Sequence, residues 1–205
     1  MVGVFILHRE EVRMGYIEYK GERVPDDYVK DIIENKSFKE AYLAVCMFLT
    51  KRIMRKVHLK IIKHKSRHEK TLDLAPRGFG KSTIGDVDYC ITKILRNPNI
   101  RIMIGSKTQT QAESFLKEIR MHFEENPDLR RIFGDLVNPS DWSNKQFTVD
   151  SREVIKKEST LTALGASGQV VSKHFDIIIG DDIVGFENAR TETKREKLEE
   201  WFYSS

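Results

Sequence analysis

The residues best suited to chemistry sit in two short segments. The first is Leu74-Ala75-Pro76-Arg77-Gly78-Phe79-Gly80-Lys81-Ser82-Thr83. Gly78 and Gly80 allow a tight turn whose amide N–H groups can face an anion. A helix starting near Lys81 adds the positive end of its dipole. Lys81 has the length to reach the β- and γ-phosphates of a nucleotide, and the Ser82 hydroxyl can take Mg²⁺. The usual spacing G-x-x-x-x-G-K-[ST] would put glycine at position 75, where this chain has Ala75. The alternative is a glycine-rich turn carrying a solvated lysine.

The second segment is His174-Phe175-Asp176-Ile177-Ile178-Ile179-Gly180-Asp181-Asp182. Its isoleucine run predicts a strand buried on both faces of a parallel sheet. Asp181 and Asp182 follow at the carboxyl end, where α/β sheets bind ligands. Asp181 is the candidate to hold Mg²⁺, directly or through water. Asp182 is the candidate to orient the attacking water or accept its proton. The alternative is a pair of solvated turn aspartates. Together the two segments supply a cradle for a triphosphate, an acid for the metal and an acid for water.

These groups need elements to position them. Thr71–Leu74 is expected to be the strand feeding the loop, and residues from Ser82 onward the helix leaving it. Ile100–Gly105 reads as a second parallel strand. Gln109–Asn126 reads as its helix, with Ala112, Phe115, Leu116, Ile119 and Phe123 on one face and Pro127 closing it. Phe147–Val149 and Thr160–Leu164 are short strand candidates. Upstream, Met14–Gly21 suggests a strand or hairpin arm, and Asp26-Asp27 opens a helical stretch through Ile33. Ser37-Phe38-Lys39-Glu40 has capping-box spacing. Phe38, Tyr42, Cys46 and Leu49 then recur at helical spacing, which predicts one amphipathic helix over 38–56. Thr193-Lys194-Arg195-Glu196 repeats the capping-box spacing before Leu198, Trp201 and Phe202. The alternation of strands and helices predicts an α/β fold with a mainly parallel central sheet flanked by helices. The organisation expected is a lead segment over 1–37 and a nucleotide-binding domain over 38–205.

At 205 residues, 32% charged and +4 overall, the chain fits an ordinary globular class, and its mild basicity permits a nucleic-acid partner. Cys46 and Cys90 are the only cysteines, too few for a four-cysteine zinc site and in keeping with a reducing compartment. The apolar runs Val2–Leu7 and Ala41–Leu49 are too short to cross a bilayer, and no signal peptide is evident, so a cytoplasmic location is expected. Lys51 to Lys70 is a basic block with Glu69 as its one acid; it also carries His58, His64 and His68. It reads either as a patch for a phosphate backbone or as a solvated helix face and loop. The histidines lack zinc-site spacing.

With these segments in hand, the chain resembles the ATPase domain of the large terminase subunit of tailed viruses, the motor that packages DNA into a preformed capsid. The resemblance runs from about residue 38 to the end. It rests on the loop at 74–83, on Ile104-Gly105-Ser106-Lys107-Thr108 with Gln111-Ala112, on Asp141-Trp142-Ser143-Asn144, and on Gly165 through Asp182. It implies a P-loop NTPase of the motor branch that hydrolyses ATP with Mg²⁺. Ala75, Pro76, Arg77, Gly78, Phe79, Gly80, Lys81, Ser82 and Thr83 would bind the nucleotide. Ser82 and Asp181 would hold the metal. Lys81, Arg77 and Asp182 would serve catalysis, with Arg77 stabilising charge at the γ-phosphate.

The resemblance also implies double-stranded DNA as partner, a homo-oligomeric ring on a capsid portal, a small terminase subunit, no membrane, and the cytoplasm of an infected cell. Many members use glutamate where this chain has Asp182. In the loop before the acidic strand the chain offers Lys173 rather than a forked arginine. A nuclease domain would lie beyond residue 205, so no nuclease activity is expected here. Two further readings share the core: a helicase-like DNA-dependent ATPase, and a nucleotide-binding module that does not turn over.

Overall fold

Apolar side chains alternate along Ile102–Ser106, and the two faces of this strand meet different helical layers. The computed structural model describes residues 15–76, 78–166, 173–185 and 189–203. The chain begins there with a hairpin, β1 (Tyr16–Tyr19) and β2 (Glu22–Pro25), followed by α1 (Asp26–Asn35). Next come α2 (Phe38–Ala44), α3 (Lys56–Lys65) and α4 (Tyr89–Arg96). Then follow β3 (Ile102–Ser106), α5 (Gln109–Glu125), α6 (Pro127–Phe133), β4 (Val137–Trp142), β5 (Gln146–Val149), β6 (Leu161–Gly165), β7 (Ile177–Asp181) and α7 (Glu192–Tyr203).

The main sheet has the order β4-β5-β6-β3-β7. β3 runs parallel to β6 and β7, whereas β5 is antiparallel to β4 and to β6. The architecture is therefore mixed α/β, with a parallel half that carries the acids and an antiparallel half beside it. Ile102 and Ile104 join the large core with α1, α4 and α5; Met103 faces the other way, against Trp201 of α7. Helices thus cover both faces of the centre. Ile17, Val29 and Ile33 share the large core, so the hairpin and α1 pack on the same body as the sheet.

Several expectations change. The Ser37–Glu40 capping box forms, but the helix it starts does not run to residue 56. It passes into a π-helical turn, Val45–Leu49, and stops at Thr50; Lys51 then takes a φ of +53°. Left-handed backbone of this kind cannot continue an α-helix. Thr71–Leu74 runs without pairing to any described strand, and Leu72 and Leu74 are 77% and 87% exposed. β7 lies at the sheet edge rather than within it, and Ile178 is 43% exposed, so only one of its faces is buried. Pro127 opens α6 rather than merely closing α5: Asn126 caps α6 by accepting from the Asp128 and Leu129 amides. At α7 it is Thr191 that receives the first-turn bonds, from Lys194 N–H and Arg195 N–H, in place of Thr193.

Candidate nucleotide site

The site forms where β7 ends beside the glycine loop. Gly78 and Gly80 have φ of +79° and +66°. A Cβ at Gly78 would meet no heavy atom within 4 Å, so the backbone conformation, not crowding, demands glycine there. The chain turns helical at Lys81, and the Ile84 N–H donates to the Gly80 carbonyl at 2.9 Å. The helical run then widens into a second π turn, Thr83–Asp88, before α4. A π turn misaligns carbonyls from their regular partners. Here the Ile84 carbonyl accepts from the buried Tyr42 hydroxyl of α2. The Tyr42 ring packs in turn against Tyr89.

Residues at the two ends of this pairing converge. Lys81 Nζ lies 2.7 Å from Asp181 Oδ1 and 3.7 Å from Asp182 Oδ1. The Ser82 hydroxyl donates to Asp181 Oδ2 at 2.8 Å. Asp181 is only 3% exposed, and Ser106 Oγ anchors its carbonyl at 2.8 Å. Burial pulls the Lys81 pKa down, but the hydrogen bond and charge of Asp181, with Asp182 behind it, outweigh that and raise it. Lys81 therefore stays charged and neutralises the acid beside it. Asp182 differs from its neighbour. Its φ is +47°, and its side chain is 69% exposed. Aspartate tolerates the left-handed region better than most residues. The turn separates the two carboxylates, one buried and one open to water.

Of the loop residues expected to bind nucleotide, Ala75 and Pro76 lead in, Phe79 lies exposed at the tip, and Thr83 is the first residue of the π turn. Arg77, also expected there, lies outside the described residues.

The residue types fit a hydrated Mg²⁺ bound with a triphosphate. Mg²⁺ takes hard oxygens, commonly one or two carboxylates with water and phosphate completing the shell. Asp181 and Ser82 present such oxygens side by side, and a lysine ammonium already stands against the carboxylate as a cation would. Among the described residues no group of His, Cys, Asp and Glu could hold a metal by itself. A cation held by Asp181 and Ser82 would complete its shell with water or with the oxygens of a bound anion.

Helix α3 holds the loop through contacts that the linear sequence does not signal. His58 Nδ1 accepts from the Arg55 N–H at 3.1 Å, which leaves the proton on Nε2 to donate to the Phe79 carbonyl at 2.9 Å. Six residues further along the helix His64 contacts Asp73 at 2.9 Å. Lys65 Nζ lies 3.6 Å from Asp73 and 3.8 Å from Asp86. Both flanks of the loop are thus tied to one helix. Asp86 is 6% exposed and its Oδ2 has no hydrogen-bond partner. Burial raises its pKa to about 7, opposed by Lys65 and Lys81 and reinforced by Asp181 and Asp73.

The basic block is likewise only partly a surface. Lys51 pairs with Asp128, and Arg52 makes a fork to Asp88 with a further contact to Glu118. These acids lie far along the sequence, which hides the pairings from a linear reading. Among the described residues no helix is long and apolar enough to cross a membrane. No family model matches the chain, and no curated protein matches it.

Proposed function

We propose that the chain is the Mg²⁺-dependent ATP-hydrolysing domain of a viral DNA-packaging motor, a P-loop NTPase of the large terminase subunit type. The observation that carries this reading is the convergence of Lys81 and Ser82 on Asp181, at 2.7 and 2.8 Å, beneath a loop shaped by Gly78 and Gly80. In the nucleotide-bound state Lys81 would exchange Asp181 for the β- and γ-phosphates. That exchange frees one buried carboxylate and one hydroxyl for the cation. Bound Mg²⁺ would neutralise charge on the phosphates. Asp182, exposed and one residue on, would hold the attacking water and accept its proton at Oδ1. Arg77 would add positive charge at the γ-phosphate.

The wider reading follows the resemblance. The domain would act in a homo-oligomeric ring on a capsid portal, with a small terminase subunit, on double-stranded DNA in the cytoplasm of an infected cell. Phosphate release with Mg-ATP, measured in the wild type and in Asp182→Ala, tests the chemistry. The reading expects release from the wild type alone, with nucleotide binding kept in both. Unchanged release in the variant would remove Asp182 from the mechanism. A triplex-displacement assay separates the motor from the helicase alternative: a packaging motor strips a third strand from intact duplex, whereas a helicase parts the duplex itself.

A further inference from the structure

Helix α3 has two faces with different work. Its inner face carries Ile61, Ile62 and His58, all buried, with His64 and Lys65 reaching the loop flanks. Its outer face carries Lys56, Lys60 and Lys63, spaced one helical turn apart, with Arg67 in the turn that follows. All four are exposed, and among the described residues none forms an ion pair. Glu69 is the one acid between Lys51 and Lys70. On α3 itself the inward Lys65 is matched by Asp73 and Asp86, and the outward cations are not matched.

The geometry points to the outer face of α3 as the docking surface for the phosphate backbone of duplex DNA, coupled through His58 on the inner face to the nucleotide loop. This rests on the nucleotide-site reading above. From Lys56 to Arg67 the stripe spans about 16 Å at about 1.5 Å per residue. A duplex presents one charge per roughly 1.7 Å of axis with both strands counted, so a length matching the stripe carries about nine phosphates, and the four cations can reach those on the near side. A packed helix moves as a rigid element. A shift of α3 toward a backbone would therefore also shift the donor that holds the Phe79 carbonyl. Coupling of this kind is reciprocal: DNA alters nucleotide affinity by the same factor as nucleotide alters DNA affinity.

The test measures binding of a labelled 30-base-pair duplex across a salt series, and of a fluorescent Mg-ATP analogue with and without that duplex. The triple variant Lys60→Gln, Lys63→Gln, Arg67→Gln should flatten the slope of log affinity against log salt by about 0.9 per lost contact, or about 2.7 in all. In the wild type, saturating duplex should change nucleotide affinity by about fivefold or more. His58→Phe keeps the ring volume but lacks the donor; it should retain DNA affinity and lose the shift. His58→Gln, which can still donate, should restore it.

An unchanged salt slope in the triple variant would overturn the docking surface. A shift that persists in His58→Phe would overturn the coupling route. Preference for single-stranded RNA or for an acidic protein over duplex would overturn the assigned partner. Absence of nucleotide binding by the wild type would instead defeat the underlying reading, whatever the DNA result.

Discussion

Asp141 and Asp181 stand at opposite ends of the same sheet and meet different kinds of partner. Asp141, on β4, accepts from Gln146 at 3.1 Å and from Thr148 and Ser159 at 2.6 Å each. Burial would raise its pKa, but these donors, with Arg152 nearby, pull it down. Its partners are neutral groups fixed on β5 and on the approach to β6. Asp181 has a lysine ammonium and a serine hydroxyl, both from the loop, at the open edge. A carboxylate held by neutral donors on the scaffold fastens structure. One held by a long, displaceable cation is ready to exchange partners. Asp86 is a third case: it is buried, and one of its oxygens has no partner.

The largest effect expected is on turnover at the open edge. Asp182→Ala should lower phosphate release by about 10²- to 10⁴-fold, as loss of a general base does, while nucleotide affinity holds. Next is the pH response of Asp86. Burial lifts its folded pKa to about 7, above the ordinary carboxylate value of 3.8, so folding favours the protonated form. The stability it contributes is full below the unfolded pKa and is lost as pH rises toward 7, at on the order of 1 kcal/mol per pH unit. Thermal unfolding of Asp86→Asn should show a flatter dependence over that window; an unaltered profile would assign the dependence to another group.

Lys81→Ala should weaken Mg-ATP binding about 10- to 100-fold, the range for a lost charged hydrogen bond, as read by titration calorimetry. Asp141→Ala should do the reverse. It leaves three donors unmatched and should cost about 1–3 kcal/mol in denaturant unfolding, with nucleotide affinity unmoved because the sites share no partners. If Asp141→Ala instead weakened nucleotide binding, the contrast between the two ends of the sheet would fail.

The residues of the candidate site were legible because their types and local spacing are the chemistry. The glycines are needed where φ is positive, and the acids follow an isoleucine strand. The Ser37–Glu40 cap, the hairpin near Tyr16 and the strand at Ile102 were legible for the same local reason. What stayed hidden depends on distant partners or on backbone choice. Thr71–Leu74 has strand-like composition, but a strand requires a neighbour to pair with, and none lies beside it among the described residues. The helix from Phe38 breaks at Lys51 through a backbone twist that helical spacing does not encode. The basic block divides into paired and unpaired cations only once Asp73, Asp86, Asp88 and Asp128 are brought beside it. His58 gave no signal in the sequence beyond its presence, because its partner is a backbone carbonyl.

Asp181 as the metal-binding acid is tested by calorimetric titration of ATP into the wild type and Asp181→Asn, each with Mg²⁺ and with chelator. Mg²⁺ should tighten binding to the wild type, and this gain should vanish in Asp181→Asn, with binding otherwise retained through the loop. Equal Mg²⁺ dependence in both proteins, or no ATP binding by the wild type, would contradict that role.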